Sequence, residues 1–117
     1  MKQHAKQNVK LTTTGRRTGT PRLVTLYAFV DGERLVIVGS QGGAAEDPAW
    51  VHNLRAAPCA TVKLGRDVRE VRAEEVDGTE RERLWELVTK AFPMYLSYQC
   101  KTDRVIPLFV LETVAAA

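Results

Sequence analysis

Carboxylates are missing from the start of this chain: no aspartate or glutamate precedes Asp31, although Lys2, Lys6, Lys10, Arg16, Arg17 and Arg22 all do. Those six are part of a total of 17 basic residues, so the net charge of +3 understates a local positive field near the amino end. An anionic partner is expected, and nucleic acid, an anionic membrane surface and an anionic small molecule are the candidates. The basic segment carries no interleaved aromatic on which bases could stack and matches no standard reading motif, so nucleic acid is not expected.

Cysteine and histidine are as sparse. Cys59 and Cys100 share no CxxC spacing and are too few for a disulfide framework, which makes a reducing cytoplasm the expected setting. His4 and His52 add no ligand spacing, and a metal site is not expected. No apolar run approaches a membrane span and Met1 to His4 opens no secretory signal, so the expectation is a cytoplasmic protein with at most peripheral membrane contact. Gly15 and Gly19 stand too close for a nucleotide-binding P-loop, and no Gly-Lys-Ser/Thr follows. Ser40 lacks a Gly-x-Ser-x-Gly frame and a histidine partner, which disfavours hydrolase chemistry.

With 117 residues the chain can build one core, so a large cofactor would lie across the surface or between subunits, in a monomer or a homodimer. The expected division is a flexible arm over 1–8, one domain over 9–113 and a tail over 114–117.

What is present centres on Leu11 to Arg22, reading Leu-Thr-Thr-Thr-Gly-Arg-Arg-Thr-Gly-Thr-Pro-Arg. β-branched threonines favour a strand, Gly15 and Gly19 permit positive φ, and Pro21 fixes φ, so a strand should run into a tight loop that carries three guanidiniums. Guanidiniums among hydroxyls and freed amide groups suit a phosphate or a polycarboxylate. Taken alone, the cluster also reads as a solvated charged face.

Along the chain, Val9–Thr14 reads as a strand. Leu23–Val30 and Arg34–Gly39 make a hairpin about Asp31-Gly32. This pairing brings Arg22 close to a second glycine-rich loop, Ser40-Gln41-Gly42-Gly43. Asp47-Pro48 should cap a short helix that carries Trp50 and Asn53. Two strands follow, Cys59–Leu64 and Val68–Val76, with a bulge required between Val68 and Val71. Thr79 and Glu82 read as a capping box for a helix ending before Pro93. Tyr95 and Tyr98 then share a face of a helical piece, and Val105–Glu112 is the last strand. The fold expected is α+β, a small six-stranded, mostly antiparallel barrel with flanking helices.

The arginine stretch, Ser40-Gln41-Gly42-Gly43, Asp47-Pro48-Ala49-Trp50-Val51-His52-Asn53-Leu54 and Tyr98-Gln99-Cys100-Lys101-Thr102-Asp103-Arg104-Val105-Ile106-Pro107, in this order, resemble the deazaflavin-dependent nitroreductase family. The resemblance implies a split β-barrel related to flavin-binding oxidoreductases, with coenzyme F420 as cofactor and FMN less favoured. By the same resemblance, Arg16, Arg17, Thr18, Gly19 and Arg22 would hold the phosphate and glutamate tail. Ser40, Gly42, Trp50 and Asn53 would lie near the ring or its linker, Gln41 would also contact the cofactor, and Tyr27, Tyr95 and Tyr98 would line the substrate side. Gln41 stands where many relatives carry lysine.

The residues are compatible with that chemistry. Val36, Val38 and Trp50 can wall an apolar slot for a ring, and the cofactor rather than the protein would transfer hydride to a quinone, an enone or a nitroaromatic. Tyr98 first, Tyr95 second, or Ser40 would hydrogen-bond the charge developing on the acceptor oxygen. Without the resemblance, Trp50 and the tyrosine pair read equally as packing residues. A noncatalytic deazaflavin, flavin, haem or lipid binder of the same fold, and a basic surface module, are the alternative functions.

Overall fold

The computed structural model describes residues 6–116. Its centre is the strand β3 (Arg34–Val38), where Leu35, Val36, Ile37 and Val38 are all buried. Leu35 and Ile37 face the interior of a barrel with Val9, Leu11, Val62 and Phe109, whereas Val36 and Val38 face outward beneath helices with Phe29, Leu84 and Val88. A strand covered on both faces is continuously apolar rather than alternating, which is how Leu-Val-Ile-Val reads.

β3 pairs with β2 (Pro21–Asp31) on one side and with β6 (Leu108–Ala116) on the other. Together with β1 (Gln7–Thr14), β4 (Cys59–Leu64) and β5 (Asp67–Glu75) they form a closed antiparallel barrel in the order β1-β2-β3-β6-β5-β4. Closure comes from β4 pairing back on β1 between Lys10↔Lys63 and Thr12↔Thr61.

The helix α1 (Ala49–Ala56) adds Trp50, Val51 and Leu54 to the barrel interior, with Trp50 edge-on to Phe109 at 5.8 Å between centroids. Outside the barrel, α2 (Gly78–Ala91) and α3 (Met94–Cys100) cover β3 and β6 with Leu84, Val88 and Tyr95. No helix among the described residues is long and apolar enough to cross a membrane.

Several local expectations are corrected. β1 begins at Gln7 rather than Val9, because Gln7 and Asn8, the end of the arm expected over 1–8, pair with Ala28 and Tyr27. Residues 1–5, His4 included, lie outside the described residues. β6 starts after Pro107, which has no N–H for a ladder and instead accepts the Gly39 N–H at 2.9 Å. The same strand continues past residue 114, paired with β5 across the expected bulge, here between Glu70 and Val71. Asp47 makes no cap bond, since Pro48 occupies the cap position and Arg104 and Arg55 take the Asp47 carboxylate. Nor does Thr79 cap: it lies inside α2, behind Asp77 and Gly78.

A network at the hairpin tip ties β2 and β3 to α2: Asp31 accepts from Arg83 and Arg34, and Arg34 reaches Glu80 at 2.7 Å. The hydrogen bond from Arg83, followed by that from Arg34, outweighs partial burial and lowers the Asp31 carboxyl from 3.8 to about 2. A carboxyl depressed on folding stabilises the native state above its unfolded value and loses that contribution as pH falls through its folded value. Asp31→Asn should therefore melt below the wild type at neutral pH, with the difference vanishing as pH falls from about 4 to about 2 in thermal unfolding scans.

Candidate functional site

β2 pairs with β1 along Pro21 to Ala28, but with β3 only from Ala28 to Asp31. From Tyr27 back to Pro21 it therefore parts from β3, while the chain leaving β3 turns through Ser40–Gly43 toward α1. The opening holds two cavities of about 520 and 540 Å³ that share Val24, Gln41, Pro48 and Trp50, and so form one groove.

One half is cationic. Thr13, Gly15, Arg16, Arg17, Thr18 and Arg22 line it, beside Trp50 and Asn53. The arginine loop is closed by the Gly15 N–H on the Thr20 carbonyl and the Gly19 N–H on the Gly15 carbonyl, both at 2.8 Å. Gly19 sits at φ +73°, which suits glycine, and it lies outside the groove, contrary to its expected place on the tail. Asn53, only 4% exposed, fixes the loop from α1: its Oδ1 accepts the Arg16 backbone N–H at 3.0 Å and its Nδ2 donates to Thr13 Oγ1 at 3.1 Å.

Among the described residues, no carboxylate pairs with Arg16, Arg17 or Arg22, whereas Arg34, Arg55, Arg69, Arg83 and Arg104 each have one. Unpaired guanidiniums that line a concavity are free to fork onto oxyanions.

The other half is aromatic. Tyr27, Phe92, Tyr95 and Tyr98 line it opposite Val38, Ser40 and Gly42. Phe92 is the hub, 5.5 Å from Tyr27, 4.9 Å from Tyr95 and 6.4 Å from Tyr98 between centroids. Sequence reading counts Phe92 only in the apolar stripe of the helix ending before Pro93, with no role in the site; it stands just past the end of α2. Val36, expected as a wall, faces the helices instead and does not reach the groove, because strand alternation sends it with Val38 to the outer face at a level that α2 and α3 cover. Tyr95 is 4% exposed, and burial followed by the neighbouring Tyr27 and Tyr98 phenols pushes its hydroxyl well above the usual tyrosine range. At neutral pH the hydroxyl keeps its proton. Tyr98 is half-buried, with Lys101 Nζ 5.7 Å from its ring centroid.

The groove therefore brings together Arg16, Arg17, Thr18, Arg22, Val38, Ser40, Gln41, Gly42, Trp50, Asn53, Tyr27, Tyr95 and Tyr98, leaving out Gly19 and Val36 among the residues singled out from sequence. Ser40 is 8% exposed and contributes to the aromatic half. A tricyclic redox ring with a phosphate and carboxylate tail fits this donor set: an apolar, aromatic slot continues without a break into unneutralised guanidiniums.

Comparisons with known proteins give the family and the fold. A sequence model of the F420H(2)-dependent quinone reductase family matches residues 2–113. The F420H(2)-dependent quinone reductase Rv1261c of Mycobacterium tuberculosis (strain H37Rv) is 36% identical over 110 residues, covering 92% of this chain and 74% of that protein. A solved structure of the F420-H2 dependent reductase FDR-A superimposes with a TM-score of 0.82 at 40% identity, over 90% of this chain and 93% of that one. A solved domain-swapped dimer superimposes with a TM-score of 0.84 at 38% identity, over 92% of this chain and 81% of that one.

Among the described residues, the Asn53 amide is the only side chain that hydrogen-bonds the arginine loop from outside it. Asn53→Ala should lower stability by about 1–3 kcal/mol, as expected when a buried hydrogen-bonded pair is broken. It should also speed hydrogen exchange at the Arg16 amide, as measured by denaturant unfolding together with NMR exchange.

Proposed function

The chain belongs to the F420H(2)-dependent quinone reductase family, and we propose that its arginine loop grips the cofactor tail while its aromatic half receives the ring and the quinone. As a member of that family it is an oxidoreductase that uses reduced F420 and acts on a small-molecule quinone. The observation that carries the assignment of residues is the continuity of the groove: Val24, Gln41, Pro48 and Trp50 border both halves, so one ligand can touch the guanidiniums and the tyrosines together.

When bound, reduced F420 supplies the hydride, and the protein's part is placement and charge. Arg16, Arg17 and Arg22 take the phosphodiester and glutamate oxygens through forked N–H donors, with the Thr18 hydroxyl beside them. Trp50 stands at the junction of the two halves, backed by Phe109 and thus fixed in orientation. Ser40, Gln41 and Gly42 form one wall of the aromatic half, with Tyr95 and Tyr98 also lining it. Tyr98 donates a hydrogen bond to the quinone oxygen on which negative charge develops. Tyr95, held protonated by burial, orients Tyr98 and supplies a second donor. Tyr27 and Phe92 close the slot as apolar surface.

Fluorescence titration tests both halves. Arg16→Ala with Arg17→Ala should weaken oxidised F420 by about 10- to 100-fold, the loss of one or two charge-assisted contacts, and leave a deazaflavin without the phosphate and glutamate tail unaffected. Equal weakening of both ligands would refute a tail-binding role for the loop. Tyr98→Phe should lower kcat for menadione about tenfold with F420 affinity unchanged; wild-type kcat would remove Tyr98 from the chemistry.

A further inference from the structure

Arg104 lines neither half of the groove, yet it donates four hydrogen bonds into the loop that walls the aromatic half. Its Nε reaches the Ala44 carbonyl at 2.8 Å, Nη1 the Gly39 carbonyl at 3.0 Å and Asp47 Oδ1 at 2.7 Å, and Nη2 the Ser40 carbonyl at 2.7 Å. The fork is itself anchored: Asp47 also pairs with Arg55, which pairs with Glu75 on β5. Its backbone is fixed to α3, where the Gln99 side chain donates to the Arg104 carbonyl at 2.7 Å and accepts the Ile106 N–H at 3.0 Å.

The loop needs such a hold. Gln41 has φ +44°, the one non-glycine with positive φ among the described residues, and Gly42 and Gly43 follow at +63° and +85°. A left-handed non-glycine residue costs about 1–2 kcal/mol, so Gln41 keeps this conformation only because its surroundings hold it, while Gly42 and Gly43 adopt theirs without that cost. Two internal bonds close the loop, from the Gly43 N–H to the Ser40 carbonyl and from the Ala44 N–H to the Gln41 carbonyl. The guanidinium takes the carbonyls of Gly39 and Ala44 and a second bond to the Ser40 carbonyl on the side away from the groove, since Ser40, Gln41 and Gly42 line the groove and Arg104, Asp47 and Ala44 do not.

We propose that Arg104 is a positioning residue for the reaction: it ties the Ser40–Gly42 wall to the Tyr98-bearing helix and so fixes the shape of the slot that receives the ring. The inference rests on the reading of the groove as the F420 site. Lysine cannot substitute, because one ammonium on a flexible stem does not span three carbonyls and a carboxylate as a planar fork does.

The test uses the purified chain and three ligand readouts: fluorescence titration with oxidised F420, the same titration with a deazaflavin lacking the phosphate and glutamate tail, and amide hydrogen exchange at residues 41–43. Arg104→Lys should weaken both ligands by the same factor, about tenfold, and accelerate exchange in the loop, with the melting temperature close to that of the wild type. That pattern differs from Arg16→Ala with Arg17→Ala, which touches only the tailed ligand. A purely structural role would lower the melting temperature and leave the affinity of the folded protein intact, which would overturn the proposal, as would weakening of the tailed ligand alone. Should Arg104→Lys fail to fold, Asp47→Ala removes the anchor instead and must show equal weakening of both ligands; wild-type affinities there would also overturn it. A wild-type protein that binds neither deazaflavin would refute the reading of the groove, and Arg104's role with it.

Discussion

The structure depends on β2 being unable to keep two partners along its whole length. Between Ala28 and Asp31 it pairs with β3, and between Pro21 and Ala28 it pairs only with β1. Where the strands part, backbone groups lose ladder partners and the wall opens. Buried, such groups would be costly, so they must border a solvent-filled space. Pro21, which has no N–H to leave unpaired, stands where β2 begins. The elements that would otherwise fill the gap are committed elsewhere: α1 closes the barrel interior with Trp50, Val51 and Leu54, and α3 packs Tyr95 on the outer core. A groove at this position follows from the topology, and its chemistry follows from which residues border it.

Charge in the groove is kept unneutralised by the way the loop is held. Five other arginines are paired with carboxylates, and the hairpin tip alone gathers Asp31, Glu80, Arg34 and Arg83 into one network. The loop at Arg16 and Arg17 is tied down by a neutral amide instead. An aspartate at position 53 would accept the Arg16 N–H as well as Asn53 does, but it would place a negative charge beside the guanidiniums and offer no donor to Thr13. Asn53 supplies one acceptor and one donor, and the field of the loop stays intact for a ligand.

Much of this was legible in the chain. The apolar run of β3, the Asp31-Gly32 hairpin, the bulge forced by Val68 and Val71, and the convergence of Arg22 with Gln41 all follow from local pattern and pairing. What escaped were the cases in which a tertiary partner claims a side chain that has a plausible local use. Asp47 looks like an N-cap and is drawn off by Arg104; Thr79 looks like half of a capping box, but the helix starts one residue earlier, at Gly78. Arg104 was visible only as part of a motif, because its targets are carbonyl oxygens, which every residue has and none advertises. Val36 was misplaced because alternation fixes which face a side chain takes, not what covers that face.

The two tyrosines of α3 divide their work by depth. Three residues apart on one helix face, they are not equivalent, because that face meets β3 and β6 at one end and the groove at the other. Tyr95 packs edge-on against Phe29 at 5.9 Å and against Phe92 at 4.9 Å, an arrangement that fixes the ring and disfavours its charged form. Tyr98, with its ring centroid 6.2 Å from that of Tyr95, is half-buried, beside Phe92 and Lys101. In the proposed mechanism, a donor that must follow the shape of its acceptor needs that freedom, and a donor that must hold the first in place needs the burial. The spacing that makes Tyr95 and Tyr98 look like a packing pair in the sequence would then also let one serve as support and the other as contact.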